Sequence, residues 1–583
     1  MSLYDIIIKN GYIADGSGKD AYKADLAVKD GRIAKIGDLA AEQAERVIDA
    51  AGKYVTPGFI DTHSHADMSL LVWQKNEAYT LQGVTTQICG NCGLAAAPIG
   101  DEVWEFWCWE YKSMNKVYNK IFEMYNFQTS APEMKKQLKE DYGLDVSWKT
   151  LGEFMELAEK RGFSCNYYPL SGHNHIRNAV MGREHRPATP EELEKMKAIL
   201  RDDMEHGSQG LSTGLDYLPG RFATTEEVEE LIKVVKEYGG VYNTHTRNFD
   251  PEDKSGAFNG VYGVREATEL CRRTGVKTNI AHMAPLFTYG PMTSPEMERA
   301  AAVATVAELE RGWREEGLPI MYDVIANPSM GGSTTPHLIT LVRPWVLMCG
   351  SVEEFIKRLE YPDFVQMIKD QAASGKVQTL NTTLVRKVAA IYKTASCKEP
   401  KYANKTLAQI MRELGTEDMV DALLTVLKAD PYTCMTLEMW GGDEGVRTLL
   451  ASERSMPCSD GFSFDLDTQM DLPYPFNRPP HPNNFCYAVR HLLNYGGPRF
   501  EDKIKQMTSV PAEWFNIYDR GTLEEGKWAD IVVIDRENLR TNEDAVEPGK
   551  APDGIDYVLI NGVVAAEHKK HTGALAGKVL RRQ

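Results

Sequence analysis

PGFIDTHSHAD, Pro57 to Asp67, is the stretch on which the reading of this chain turns. Tyr54, Val55, Phe59 and Ile60 are apolar and β-prone, and the histidines follow where such a strand would end. Residues two apart on a strand share a face, so His63 and His65 point the same way. Two neutral imidazoles aimed at one point are half of a metal site, because histidine is the commonest nitrogen ligand for zinc and similar ions. A polar surface turn would look the same, so the pair by itself is weak evidence. The missing half has to come from the rest of the chain.

The 583 residues suffice for one very large domain or two to three ordinary ones. A hydrophobic content of 43% and a charged content of 26% are those of an ordinary globular enzyme. The formal charge of −17 and the lack of a Lys/Arg block argue against a nucleic-acid partner. No apolar run reaches the roughly 20 residues of a membrane span. The first residues, MSLYDIIIKNGYIADGSG, lack a basic leader and read as a strand running into a turn. Ten scattered cysteines lack disulfide density, so a reducing cytoplasm is the expected location.

Residues 4 to 55 are short alternating runs broken by Asn-Gly, Asp-Gly and Gly-Lys, which are hairpin signals. The last segment, with GTLEEGKWADIVVID and DYVLINGVV, repeats that style. Residues 1–55 and 515–583 are therefore expected to form one small β-sandwich. Between them the pattern becomes strand, loop, helix. Eight candidate parallel strands appear: YVTPGFIDTH, VTTQICGN, GFSCNYYPLSG, GSQGLSTGL, GVYNTHTR, KTNIAHMA, LPIMYDVIAN and SMPCSD. Amphipathic helices such as TPEELEKMKAILRDDMEHG and TTEEVEELIKVVKEYGG lie between them, each closed by Gly. Eight such units predict an α/β fold, a (β/α)₈ TIM-type barrel over 56–514, with insertions near 101–149 (rich in Trp and Tyr) and 329–455. In that architecture chemistry sits at the C-terminal ends of the strands.

Each candidate functional residue stands at such an end. His63 and His65 follow the first strand, Cys92 the second and His173 the third. Asp216 and Tyr217 follow the fourth, His245 and Arg247 the fifth, His282 the sixth and Asp460 the eighth. Cys89 and Cys92 form a Cys-X-X-Cys pair, but no second ligand pair of matched spacing follows. The sequence after it leaves a strand into a Gly-rich loop rather than opening a helix. A structural Cys89 and a metal-ligating Cys92 is the better division. Asp460 is placed to bind metal weakly and to shuttle a proton, although an Asp capping a turn is the blander alternative.

These motifs resemble the amidohydrolase superfamily and, within it, the N-acyl-D-amino-acid deacylase (D-aminoacylase) branch. The resemblance rests on PGFIDTHSHAD, GVTTQICGNCGLAAAP, LSGHNHIRNAVMG, GLSTGLDYLPG, VYNTHTR, IAHMA, YDVIANPSMGGST, CSDG and the RGTLEEGKWADIVVID tail. It implies hydrolysis of a small-molecule amide outside peptides by zinc-activated water. Cys92, His245 and His282 would hold a tight Zn²⁺. His63, His65 and Asp460 would form a weaker second site, with Asp460 as the catalytic acid/base. Arg247, Tyr217 and Arg177 are the candidates for gripping a substrate carboxylate, although each Arg could equally pin a loop. Many relatives carry a bridging lysine on the fourth strand, and GLSTGLDYLPG has none, which ranks a cyclic-amide hydrolase second. A non-catalytic zinc-binding barrel is the alternative from another class, and the retained Asp460 speaks against it. Strand six here reads AHMAP where the branch usually has His-His-Lys, and losing that cation counts against an acidic substrate. Self-association into a homo-oligomer is left open.

Overall fold

The computed structural model describes residues 4–99, 114, 131–182, 184, 186–216, 219–253, 258–290, 294–327, 337–374, 392–437, 442–469, 471, 474–475, 483–542 and 549–582. The expected insertions near 101–149 and 329–455 fall partly outside these residues.

All eight expected strands form. They are β6 (Phe59–Asp61), β7 (Val84–Cys89), β8 (Asn166–Pro169) continued by β9 (Ser171–Gly172), β10 (Gly210–Gly214), β11 (Val241–His245), β12 (Thr278–Ile280), β13 (Ile320–Ile325) and β16 (Ser455–Cys458). β6, β7 and β8 make one parallel sheet, and β9, β10, β11, β12, β13 and β16 make a second. At the junction of β8 and β9, the Leu170 N–H donates to the Cys89 carbonyl at 3.0 Å. Beyond β6 and β16, Ser64 bridges Gly461 in parallel, and the Asp460 N–H donates to the His63 carbonyl at 2.9 Å. Strands buried on both faces read as unbroken apolar runs, which is why these segments stood out in the sequence.

Ile60, Ile88, Tyr168, Leu170, Val241, Met321 and Met456, drawn from strands of both sheets, share one buried cluster with Trp514 and Phe515. The helices read from the sequence also form, over Pro190–Glu205 and Thr225–Glu237. Thr189 and Thr224 cap them by accepting from the N–H groups of Glu192 and Glu227.

The two chain termini do fold together. β5 (Tyr54–Pro57) pairs antiparallel with β17 (Ile531–Ile534), joining both ends in one nine-stranded sheet. Among the described residues no helix is long and apolar enough to cross a membrane.

Candidate metal centre

The ends of β7, β11 and β12 bring three side chains together. Cys92 Sγ lies 3.3 Å from His282 Nε2 and 3.7 Å from His245 Nδ1, and those two nitrogens are 3.0 Å apart. His63 Nε2 also approaches Cys92 Sγ, at 3.3 Å. Beside this group, Asp460 Oδ1 stands 3.0 Å from His65 Nε2 and 3.6 Å from His63 Nε2. Zinc bonds of about 2.0–2.3 Å in a tetrahedron place ligand atoms about 3.4–3.7 Å apart, so the Cys92 cluster has the dimensions of a metal cage. One thiol hydrogen cannot satisfy three ring nitrogens, and a cation can. Two ligand sets emerge that share His63: His63, Cys92 and His282, and His63, His65 and Asp460.

Local backbone explains how these atoms reach one point. Cys92, His282 and Asp460 have φ of 52°, 34° and 53°. A non-glycine residue in this left-handed region costs of order 1–3 kcal/mol, and such residues gather at functional sites. The CGNCG turn needs its glycines. A Cβ on Gly90 would meet the Leu170 carbonyl at 2.1 Å, and one on Gly93 would meet Asn174 Oδ1 at 2.2 Å. Cys89 remains a buried strand residue, consistent with the division of Cys-X-X-Cys into structural and site halves.

Under the cluster runs a ladder of polar side chains that the sequence reading missed. Asn243 donates to Asn91 at 2.5 Å, and Asn279 donates to both Asn243 (3.0 Å) and Asp323 (2.5 Å). Asp323 also accepts the His282 N–H at 2.5 Å and the Cys458 thiol at 3.3 Å. On the other side Asp61 accepts from the N–H groups of His63 (3.2 Å) and Ser459 (3.0 Å) and from the Ser459 hydroxyl. Each partner fixes a ligand-bearing turn, as supporting groups do around metal sites.

Burial and close neighbours shift the titrating groups of the cluster. Burial pushes the Asp61 carboxyl up to about 8 and the Asp323 carboxyl up to about 7, against the hydrogen bonds each accepts. Burial also pushes the Cys92 thiol well up, and it holds His63 and His282 neutral by lowering them. For Asp460 burial would raise the carboxyl, but the His65 hydrogen bond and the favourable interaction with the surrounding imidazoles of His282, His65 and His63 outweigh it and hold it low. Neutral imidazoles and an ionised Asp460 are the forms that bind metal.

The two arginines expected to grip a carboxylate have partners within the protein. Arg247 is buried, with Nε 3.0 Å and Nη2 3.4 Å from Glu266, while its Nη groups donate to the carbonyls of Arg221 (3.0 Å) and Ala223 (2.9 Å). Arg177 spends Nε on Glu227 at 3.0 Å and its Nη groups on the carbonyls of Pro219 (3.1 Å) and Arg186 (2.5 Å). These guanidiniums are engaged inside the protein, the arrangement expected of arginines that pin loops. His173 shares Glu227 with Arg177, Nε2 to Oε1 at 3.0 Å, and Asp216 faces Arg221 at 3.4 Å. Tyr217 lies outside the described residues. The groups that flank the cluster are aromatic. Phe287 has its ring 5.9 Å from that of His245 and 5.6 Å from that of His282, and Phe462 is 5.7 Å from His65.

Residues 46–120 match the model of the amidohydrolase family. Over 582 residues the chain is 26% identical to an N-acyl-D-glutamate deacylase of Alcaligenes xylosoxydans xylosoxydans, covering 99% of this chain and 96% of that one. It is equally similar, 26% over 586 residues, to a D-aminoacylase of the same organism, with 99% and 98% covered. The crystal structure of D-aminoacylase superposes with a TM-score of 0.70 at 25% identity, over 99% of this chain and 100% of the other. The chain thus resembles amidohydrolases, and over its full length it is most like the D-aminoacylases and N-acyl-D-amino-acid deacylases among these relatives. The N-acyl-D-glutamate deacylase of Bordetella bronchiseptica, solved with zinc and a phosphonate mimic of the tetrahedral intermediate, matches this chain with a TM-score of 0.67 at 25% identity, over 99% and 100% of the two chains.

Proposed function

We propose that this chain is a zinc-dependent hydrolase that deacylates an N-acyl-D-amino acid. The observation that carries the reading is the meeting of Cys92 Sγ with three imidazole nitrogens beside the Asp460 carboxylate. Cys92, His245 and His282 would hold a tight Zn²⁺, and His63, His65 and Asp460 a weaker second ion. A bound zinc ion supplies a polarised carbonyl and a water acidic enough to attack near neutral pH.

The chain's own residues do the rest. Asp460, ionised and hydrogen-bonded to His65, takes the proton from the attacking water. It then returns that proton to the departing nitrogen as the C–N bond breaks. Phe287 and Phe462 present apolar surface beside the ligands, which suits an acyl group and a non-acidic amino-acid side chain.

The proposal extends to the architecture. The eight strands form a closed (β/α)₈ barrel over 56–514. Three features support closure: the Ser64–Gly461 bridge, the Leu170–Cys89 hydrogen bond and the apolar cluster filled from strands of both sheets. The termini, 1–55 and 515–583, form a β-sandwich. Its support is one apolar cluster enclosed by residues from Ile6 to Val55 and from Leu523 to Val564.

The test is metal analysis with amide hydrolysis by the purified protein, using N-acyl-D- and N-acyl-L-amino acids, hydantoin and dihydrouracil. Amine release confined to the D series is expected. Turnover of the rings alone would move the enzyme to the cyclic amides, and no turnover of any probe would overturn the substrate class.

A further inference from the structure

A cavity of about 700 Å³ lies at the other end of the same strands. Gln209 and Gly239 line it, and they precede β10 and β11, whose far ends carry Gly214 and His245. A five-residue strand spans roughly 16 Å, so this cavity is separate from the metal ligands. The volume is that of a small-molecule site.

Its lining is cationic in a chain of net charge −17. Arg520, Lys578, Arg581 and Arg582 face it against the single carboxylate of Asp519. Arg581 is answered by Glu159 at 2.8 Å, and Arg520 by Asp530. Among the described residues no carboxylate makes an ion pair with Lys578 or Arg582. Arg520 is buried, 3% exposed, and its Nε stands 3.8 Å from Asp519 Oδ1, an ion pair beyond hydrogen-bond distance.

Three cations crowd a single indole. Lys578 Nζ stands 3.5 Å from the centre of the Trp528 ring, with the guanidinium carbons of Arg32 and Arg520 at 4.3 Å and 5.4 Å. Partial burial, followed by repulsion from Arg520 and Arg32, lowers the Lys578 ammonium from its ordinary value against the opposing attraction of Asp530 and Asp519. An anion would relieve that repulsion. Tyr238, Tyr518, Ile517 and Leu580 supply the apolar and aromatic part of the wall.

We infer that this cavity binds a small ligand carrying a phosphate or carboxylate group on an apolar or aromatic body. The site stands independently of the hydrolase reading, because it uses none of the metal-centre residues.

The test is calorimetric titration of the full-length, zinc-loaded protein with phenyl phosphate and with inorganic phosphate. Sub-millimolar binding of phenyl phosphate is expected, at least tenfold tighter than inorganic phosphate. The affinity should fall at least tenfold in Lys578→Met and in Arg582→Glu and stay unchanged in Asp460→Asn. Lys578→Met keeps the length of the side chain over Trp528, so it guards against a folding defect. Unchanged affinity in both cavity variants, loss in Asp460→Asn, or no binding at millimolar concentration would each overturn the site. Equal affinity for inorganic phosphate would overturn the assignment of an apolar body.

Discussion

Val241 and His245 lie four residues apart on one face of one strand, with Asn243 between them. Val241 packs into the apolar cluster with Met321 and Met456, Asn243 joins the amide ladder, and His245 meets Cys92. β16 repeats the order: Met456 is apolar filling, Cys458 donates to Asp323, and Asp460 faces His65. Alternation thus stacks three layers along these two strands: filling, support, candidate ligand. The lower layer is held by burial alone and tolerates exchange of one apolar shape for another. The upper layer needs particular atoms at particular points, and it accepts left-handed backbone at Cys92, His282 and Asp460 to obtain them. Stability and chemistry are therefore built from the same strands and are separable by residue.

That separation can be broken experimentally, and the largest effect is expected at the top. Asp460→Asn should lower kcat/KM about 10²–10⁴-fold without changing urea stability. A loss of stability to match would show that Asp460 is structural. At the bottom, Met456→Ala should cost about 2–5 kcal/mol in urea unfolding while zinc affinity stays within threefold of the parent. In the middle layer, Asn243→Ala should weaken zinc binding about 10–100-fold in chelator competition. An unchanged affinity would make the ladder mere packing.

A separate effect concerns acid. His175 Nδ1 accepts the Ala95 N–H at 2.7 Å, and burial pushes its ring down to about 3. The unfolded ring takes up a proton near 6.5 and the folded ring refuses it. The stability this residue gives is complete above pH 6.5 and is lost as pH falls toward about 3, by about 1.4 kcal/mol per pH unit. His175→Asn keeps a side-chain acceptor and removes the titration, so stability measured from pH 6.5 to 4 should fall less steeply than in the parent. An identical slope would contradict the assignment.

The strands were legible because each is a short apolar run closed by Gly or a polar turn, and Cys92, His245, His282 and Asp460 were legible by standing just beyond those runs. Asn243, Asn279 and Asp323 were not, because a polar residue inside a strand reads as facing water. The available signal was that YNTH, TNIAH and MYDVI belong to strands covered on both faces, where any polar side chain must have a partner. The internal partners of Arg247 and Arg177 were not legible for a related reason. The carboxylates that claim them, Glu266 and Glu227, lie 19 and 50 residues away in sequence, and only the folded chain brings them into contact.

The central claim, that the top layer is a zinc cage with Cys92 at its core, is tested most directly by equilibrium zinc binding to the parent, Cys92→Ala and Asp460→Asn proteins. The account predicts that the parent binds tightly, Asp460→Asn still holds about one ion per chain, and Cys92→Ala loses that ion while remaining folded. Tight zinc binding by Cys92→Ala, equal to the parent in stoichiometry and affinity, would contradict it.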